Sequence, residues 1–186
     1  MRQKAVTDIN AANGAGSGKP ANVNDLTTFP PNGSRLITCP SSGDLTVDSQ
    51  NIDTFVKWQL IRLPDLPGGG KKDVTAFVAF SKVCVHLWCS PNYNPSSGPM
   101  QYECPCHESI YRIPDGLSIA GPASVQPPPT DVIPILTLST DSDGFLYVEP
   151  PIWDAYHNGV IGYGRYIPNL TENTDAYKKY LGNQGI

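Results

Sequence analysis

The residues best able to do chemistry lie in two short segments, Cys84-Val85-His86-Leu87-Trp88-Cys89 and Cys104-Pro105-Cys106-His107-Glu108-Ser109. Each segment places a thiol and an imidazole within one tight turn, as Cys84-x-His86 and as Cys104-x-x-His107. Two sulfur and two nitrogen donors in matched pairs suit a [2Fe–2S] centre with two cysteines on one iron and two histidines on the other. In such a centre the neutral imidazoles raise the reduction potential and bring titratable protons to the redox site. The same four residues also suit a structural zinc site, which needs four ligands around one tetrahedral point. A third arrangement ties the four cysteines into two disulfides and leaves the histidines at the surface.

The elements around these segments read as short strands. Val74–Lys82 is an apolar run rich in β-branched and aromatic residues, a buried strand that delivers the chain to Cys84. Ser90–Met100 is rich in Pro, Asn, Ser and Gly and reads as a loop between the two segments. Ser109–Ile113 reads as a strand closed by the turn Pro114-Asp115-Gly116. Further strands are expected at Arg35–Cys39, Leu45–Asp48, Thr54–Leu63, Val132–Leu138 and Phe145–Glu149. Thr140-Asp141-Ser142-Asp143-Gly144 resembles the start of a calcium loop but lacks the distal glutamate, so a hairpin turn is expected. Leu66–Lys72 contains a Gly-Lys pair without phosphate-loop spacing and reads as a hairpin loop.

Residues 1–25 read as a flexible linker, 26–165 as the main domain and 166–186 as a polar C-terminal extension, with a short helix expected at Asn173–Leu181. His157 sits in a turn-like setting and is read as a surface residue. With 17 glycines and 19 prolines, the chain favours a loop-rich β fold over a helical bundle. The net charge of −4 argues against a nucleic-acid partner, which would need a basic face. The longest nearly apolar stretch, Val74–Trp88, is too short and too polar to span a bilayer, and the N-terminus has no signal-peptide pattern.

The two segments together resemble the fingers of Rieske iron–sulfur proteins, roughly Cys-Thr-His-Leu-Gly-Cys and Cys-Pro-Cys-His-Gly-Ser. Cys84, His86, Leu87 and Cys89 match the first, and Cys104, Pro105, Cys106, His107 and Ser109 match the second. Gly121-Pro122-Ala123 resembles the family's third loop, which covers the cluster, and Tyr111 stands where high-potential members carry a tyrosine. Two residues depart from the pattern. Trp88 replaces a small residue, and Glu108 replaces a glycine; if that glycine has positive φ, Glu108 brings strain or a changed loop.

The resemblance implies an all-β fold, with an antiparallel β-sheet base domain and a small inserted cluster-binding subdomain at about 83–125. Cys84 and Cys104 would bind the inner iron, and His86 and His107 the outer, solvent-facing iron. Cys89 and Cys106 would form a disulfide, leaving Cys39 as a buried small hydrophobe. Ser109 and Tyr111 would donate hydrogen bonds to a bridging sulfide and to the Cys84 sulfur, raising the potential. Leu87 and Trp88 are a candidate docking rim.

The disulfide pair is similar to the respiratory, cytochrome bc-type branch. That likeness implies one-electron transfer from a quinol to a cytochrome or other haem protein, with His86 and His107 taking part in proton coupling. It also implies a cytochrome b-like subunit on the donor side. The location implied is the extracytoplasmic face of the cell membrane, through an anchor outside this sequence. The alternatives are a soluble Rieske ferredoxin, an arsenite-oxidase-like small subunit, and a zinc-held interaction domain.

Overall fold

Short strands dominate the computed structural model, which describes residues 2–9, 18–64, 69–96, 101–128 and 130–149 and the backbone of 153–154 and 165–166. In chain order these are β1 (Gln3–Lys4), β2 (Ser34–Thr38), β3 (Lys57–Arg62), β4 (Phe77–Ser81), β5 (Asn92–Asn94), β6 (Gln101–Glu103), β7 (Ile110–Arg112), β8 (Ser118–Ala120), β9 (Leu138–Thr140) and β10 (Leu146–Val148). They form three sheets in the orders β1-β10-β9, β2-β3-β4 and β5-β6-β7-β8. Every pairing in these sheets is antiparallel. The expected all-β class holds. Among the described residues no helix is long and apolar enough to cross a membrane.

The middle sheet separates two cores. All six residues of β3 are buried, because β3 is the central strand and both of its faces are covered. Side chains alternate across a strand, so Trp58 and Leu60 join Phe77, Ala79, Leu146 and Val148 in a base core. Ile61 faces the other way, with Val78, Phe80, Tyr102, Tyr111, Cys84 and Cys104. The two cysteine segments are thus seated on the second core. Each fully buried side chain such as Ile61 or Phe80 contributes about 1.5–3 kcal/mol of transfer free energy.

Two cations inside β3 fasten the outer segments to this sheet. Arg62 is fully buried and donates to five backbone carbonyls: Val23 (2.8 Å), Asp25 (3.0 Å), Phe29 (3.2 Å), Gly69 (2.7 Å) and Lys71 (2.9 Å). Lys57 pairs with the buried Asp8 carboxylate and donates to Thr38 Oγ1 at 2.9 Å and Asp48 O at 2.6 Å. A buried charge needs such partners to offset its lost hydration.

Several local expectations differ from the fold. Within the stretch 1–25 expected as a flexible linker, the described residues 2–9 and 18–25 pack on the domain: β1 pairs with β10, and Ala5, Ala21 and Val23 are buried in the base core, while residues 1 and 10–17 lie outside the described residues. The Ala5 N–H donates to Leu146 O and the Ala21 N–H to Ala5 O, both at 2.9 Å. Leu45–Asp48 is not a strand but part of helix α1 (Leu45–Gln50), because the Asp44 carboxylate caps the Thr46 and Val47 N–H groups. The same device shortens two strands: Asp53 caps a 3-10 turn at Thr54–Val56, and Asp73 caps one at Val74–Ala76.

The loop expected over Ser90–Met100 contains β5. Val132–Leu138 makes isolated bridges at Val132 and Ile135 rather than a continuous strand, and Pro134 interrupts it by lacking an N–H donor. The Asp141–Gly144 joint is a turn, closed by Gly144 N–H to Asp141 O at 3.1 Å. His157 and the helix expected at Asn173–Leu181 lie outside the described residues.

Candidate metal centre

The two cysteine–histidine fingers share one backbone design. In the first, the Cys84 N–H donates to Cys89 O at 2.8 Å, and the Trp88 N–H donates to Cys84 O at 3.0 Å. In the second, the Cys104 N–H donates to Ser109 O at 2.8 Å, and the Glu108 N–H donates to Cys104 O at 3.1 Å. Each finger is therefore a closed six-residue loop with its first cysteine at the base. β4 delivers the first finger, and the second is the connection between β6 and β7. The Tyr102 hydroxyl, donating to Ser81 O at 3.0 Å, ties the two supports together.

This design sorts the donors by depth. Cys84 and Cys104 are buried at 1% and 2% exposure, and both are free thiols. They are neighbours: burial first, and then the adjacent Cys84 sulfur, push the Cys104 thiol above its ordinary pKa. The His86 and His107 rings lie at the opposite, outer end, with centroids 4.8 Å apart and planes at 89°. His107 is exposed and His86 half-buried. His86 Nδ1 is buried and has no hydrogen-bond partner. Among the described residues no three His, Cys, Asp or Glu side chains gather around one ion position. A sulfur pair below and an imidazole pair above fit a two-iron group, in which each iron takes two protein ligands.

Cys89 and Cys106 form a disulfide, with Cα atoms 6.3 Å apart, that joins the fingers. Cys39 is fully buried near the far sheet, and burial raises its thiol pKa to about 12. It behaves as a small apolar core residue, as expected.

Hydroxyls surround the sulfur end. Tyr111 is fully buried on β7, its Oη 3.0 Å from Cys84 Sγ. Burial first, then the Cys84 charge, hold its phenol above the ordinary range, so it keeps its proton. Its oxygen accepts from the Val85 N–H at 3.1 Å, which leaves the hydroxyl proton for the sulfur. Ser109 Oγ is buried and accepts from the Ala123 N–H at 3.2 Å, so its own proton stays available. Of the two hydroxyls named from sequence, Tyr111 lies against Cys84 Sγ, and Ser109 is buried at the end of the second finger, bonded to the third loop.

The third loop runs over the second finger. Gly121 has φ 73°, and a Cβ there would lie 2.5 Å from Glu108 O. Pro122–Val125 then forms a 3-10 turn. Of the proposed docking rim, Leu87 is exposed at 55% and Trp88 is half-buried. Sequence reasoning missed Val125, 84% exposed at the end of the third loop. It also missed Gln126, whose Nε2 donates to Val85 O at 3.3 Å. Neither belongs to a motif; only loop closure brings Gln126 to the first finger.

The Rieske [2Fe-2S] domain family matches residues 70–137, a span that holds both fingers and the third loop. A respiratory nitrate reductase Rieske subunit of Haloferax mediterranei is 32% identical over 91 residues, covering 49% of this chain and 36% of its own. The chain thus spans about a third of that relative's length. Among solved structures, the soluble domain of Rieske protein II (soxF) from Sulfolobus acidocaldarius aligns over 97% of this chain and 90% of its own, at 21% identity and a TM-score of 0.40. NdmB from Pseudomonas putida CBB5 aligns over 79% of this chain and 33% of its own, at 15% identity and a TM-score of 0.40. The matched family and the paired sulfur and nitrogen donors inside it agree: residues 70–137 carry a Rieske [2Fe-2S] domain, which implies a cluster of the Rieske type.

Proposed function

We propose that this chain is a high-potential, proton-coupled electron carrier of a respiratory complex. In this reading Cys84 and Cys104 hold the inner iron, and His86 and His107 hold the outer iron. One observation carries it: a buried sulfur pair beneath an imidazole pair, with His86 Nδ1 buried and unpartnered. When bound, the cluster takes up and gives back one electron. The residues around it tune and gate that event. Tyr111 and Ser109 supply hydroxyl protons toward the sulfur end, which favour the more negative, reduced state. The Cys89–Cys106 disulfide keeps the fingers from splaying.

The outer nitrogens of His86 and His107 are the points where a proton is held or released. A quinol hydroxyl donating to one of them is positioned to give up its proton there as it loses an electron. Leu87, exposed and next to His86 in the chain, offers an apolar surface suited to a quinol pocket in a cytochrome b-like subunit. A cytochrome or other haem protein then takes the electron. The respiratory name of the Haloferax relative supports the respiratory setting. The reading places the full-length protein at the extracytoplasmic face of the membrane, held by an anchor.

The experiment is a redox titration of the cluster-loaded protein from pH 5 to 10, followed by electron paramagnetic resonance. A Rieske-type signal and a potential that falls as pH rises are expected. A potential near −150 mV, the low end of the Rieske range, with no pH dependence would overturn quinol oxidation. Recovery of the protein in the soluble rather than the membrane fraction of its native cells would overturn the location.

A further inference from the structure

The loop over Gly121–Gln126 touches both fingers, each by a different contact. Toward the second finger, Gly121 packs so closely that a Cβ would lie 2.5 Å from Glu108 O and 2.7 Å from Ser109 Cα. The Ala123 N–H also donates to Ser109 Oγ at 3.2 Å. Toward the first finger, Gln126 Nε2 donates to Val85 O at 3.3 Å. The acceptor is a carbonyl, which can only receive, so the amide must present its NH2 to it. Gln126 Oε1 is buried and has no partner. The side chain therefore gives up solvation of its oxygen while making this one bond.

Val85 is the residue between Cys84 and His86, and it is 2% exposed. Its two backbone groups are held from opposite sides. The N–H goes to Tyr111 Oη at 3.1 Å, and Tyr111 Oη also meets Cys84 Sγ at 3.0 Å. The C=O, which belongs to the peptide unit entering His86, is held by Gln126. Tyr111 thus restrains the cysteine side of Val85, and Gln126 restrains the histidine side.

We propose that Gln126 is a positioning residue for His86: through Val85 O it sets the direction in which the chain presents the imidazole. Together with the Ala123–Ser109 bond, it makes Gly121–Gln126 a non-covalent clamp across both fingers, working alongside the disulfide. The inference rests on the reading that His86 is a cluster ligand. The chemistry needed at position 126 is a neutral donor of the right reach. Glutamate has the shape without the donor, and methionine has similar length with neither donor nor charge.

The test compares the cluster-loaded wild-type chain with Gln126→Glu and Gln126→Met. The readouts are the paramagnetic resonance line positions, the pH profile of the potential, and the rate of cluster loss after the disulfide is reduced. Both variants are expected to shift the spectrum and the pH profile, and to lose cluster about fivefold faster than wild type, the factor carried by one net hydrogen bond. Unchanged spectra and loss rates in both variants would overturn the proposal. A change in Gln126→Glu alone would also overturn it, by assigning the effect to the new charge. If neither variant assembles a cluster, circular dichroism decides: folded chains without cluster support positioning, and unfolded chains overturn it. A parallel His86→Ala chain separates the two levels, because a retained Rieske signal there removes the ligand assignment whatever Gln126 does.

Discussion

Trp88 and Glu108 occupy the same place in the two fingers. Each lies four residues after the inner cysteine and donates its N–H to that cysteine's carbonyl, at 3.0 and 3.1 Å. Each has positive φ, 63° for Trp88 and 60° for Glu108. The loop that each finger must close demands this conformation, which L-residues with a Cβ adopt at a cost of about 1–2 kcal/mol. The finger keeps its shape and the side chain absorbs the strain.

This predicts a specific difference between two substitutions at one site. Glu108→Gly relieves the steric strain, whereas Glu108→Ala keeps the Cβ that causes it. In urea denaturation the glycine chain is expected to be more stable than the alanine chain by about 1 kcal/mol. Equal stabilities would show that position 108 is not strained. The exposed Glu108 carboxylate itself contributes little to the comparison.

Tyr111→Phe removes the hydroxyl that lies 3.0 Å from Cys84 Sγ and accepts from the buried Val85 N–H. The reduction potential is expected to fall by roughly 60 mV, the equivalent of a tenfold change for one electron. Stability is expected to drop by about 1 kcal/mol from the lost hydrogen bond. Ser109→Ala is expected to lower the potential with the cluster retained. Potentiometric titration with both clusters intact measures each effect, and an unshifted midpoint in either variant removes that hydroxyl from its role.

The Cys89–Cys106 bond closes a loop with a sequence separation of 17. Cross-linking a loop of that length removes denatured-state entropy worth about 3 kcal/mol. Selective reduction, or Cys89→Ser with Cys106→Ser, is expected to lower the denaturation midpoint accordingly and to speed loss of visible absorption. A chain that keeps its cluster indefinitely with both sulfurs free would show that the disulfide does not hold the fingers.

Acid stability has a local origin at Asp48. Burial pushes its carboxyl pKa up, but hydrogen bonds from Ser41 and from the backbone and side chain of Ser42 outweigh burial and hold it below the usual range. A folded pKa below the unfolded value of about 3.9 means the stabilisation is complete above that value and is lost as pH falls through the folded one. Asp48→Asn is therefore expected to cost about 1 kcal/mol at pH 6 and to converge on wild type at the acid end of the unfolding profile. A constant difference at all pH values would mean that Asp48 ionisation does not couple to folding.

The chemistry was legible in the sequence because it is local. Cys84, His86, Cys104 and His107 fall within two six-residue loops, and the spacing inside each loop limits what it can grip. The buried run Val74–Lys82 and the turn at Asp141–Gly144 were legible for the same reason, since apolar patterning and turn chemistry act over a few residues. Short caps were misread. Asp44, Asp53 and Asp73 each turn a stretch with strand-like composition into a helical turn by capping its free N–H groups.

By itself, then, the sequence determined the donor set, its division into two matched fingers and the β character of the chain. Tertiary structure alone decided the rest. It drew the linker-like N-terminal residues Ala5, Ala21 and Val23 into the core, and it gathered two loops onto the carbonyl-satisfied Arg62. It also brought Gln126 to Val85, 41 residues away in the chain. Such contacts depend on which distant backbone groups burial leaves unpaired, and that requirement exists only once the sheets have closed on one another.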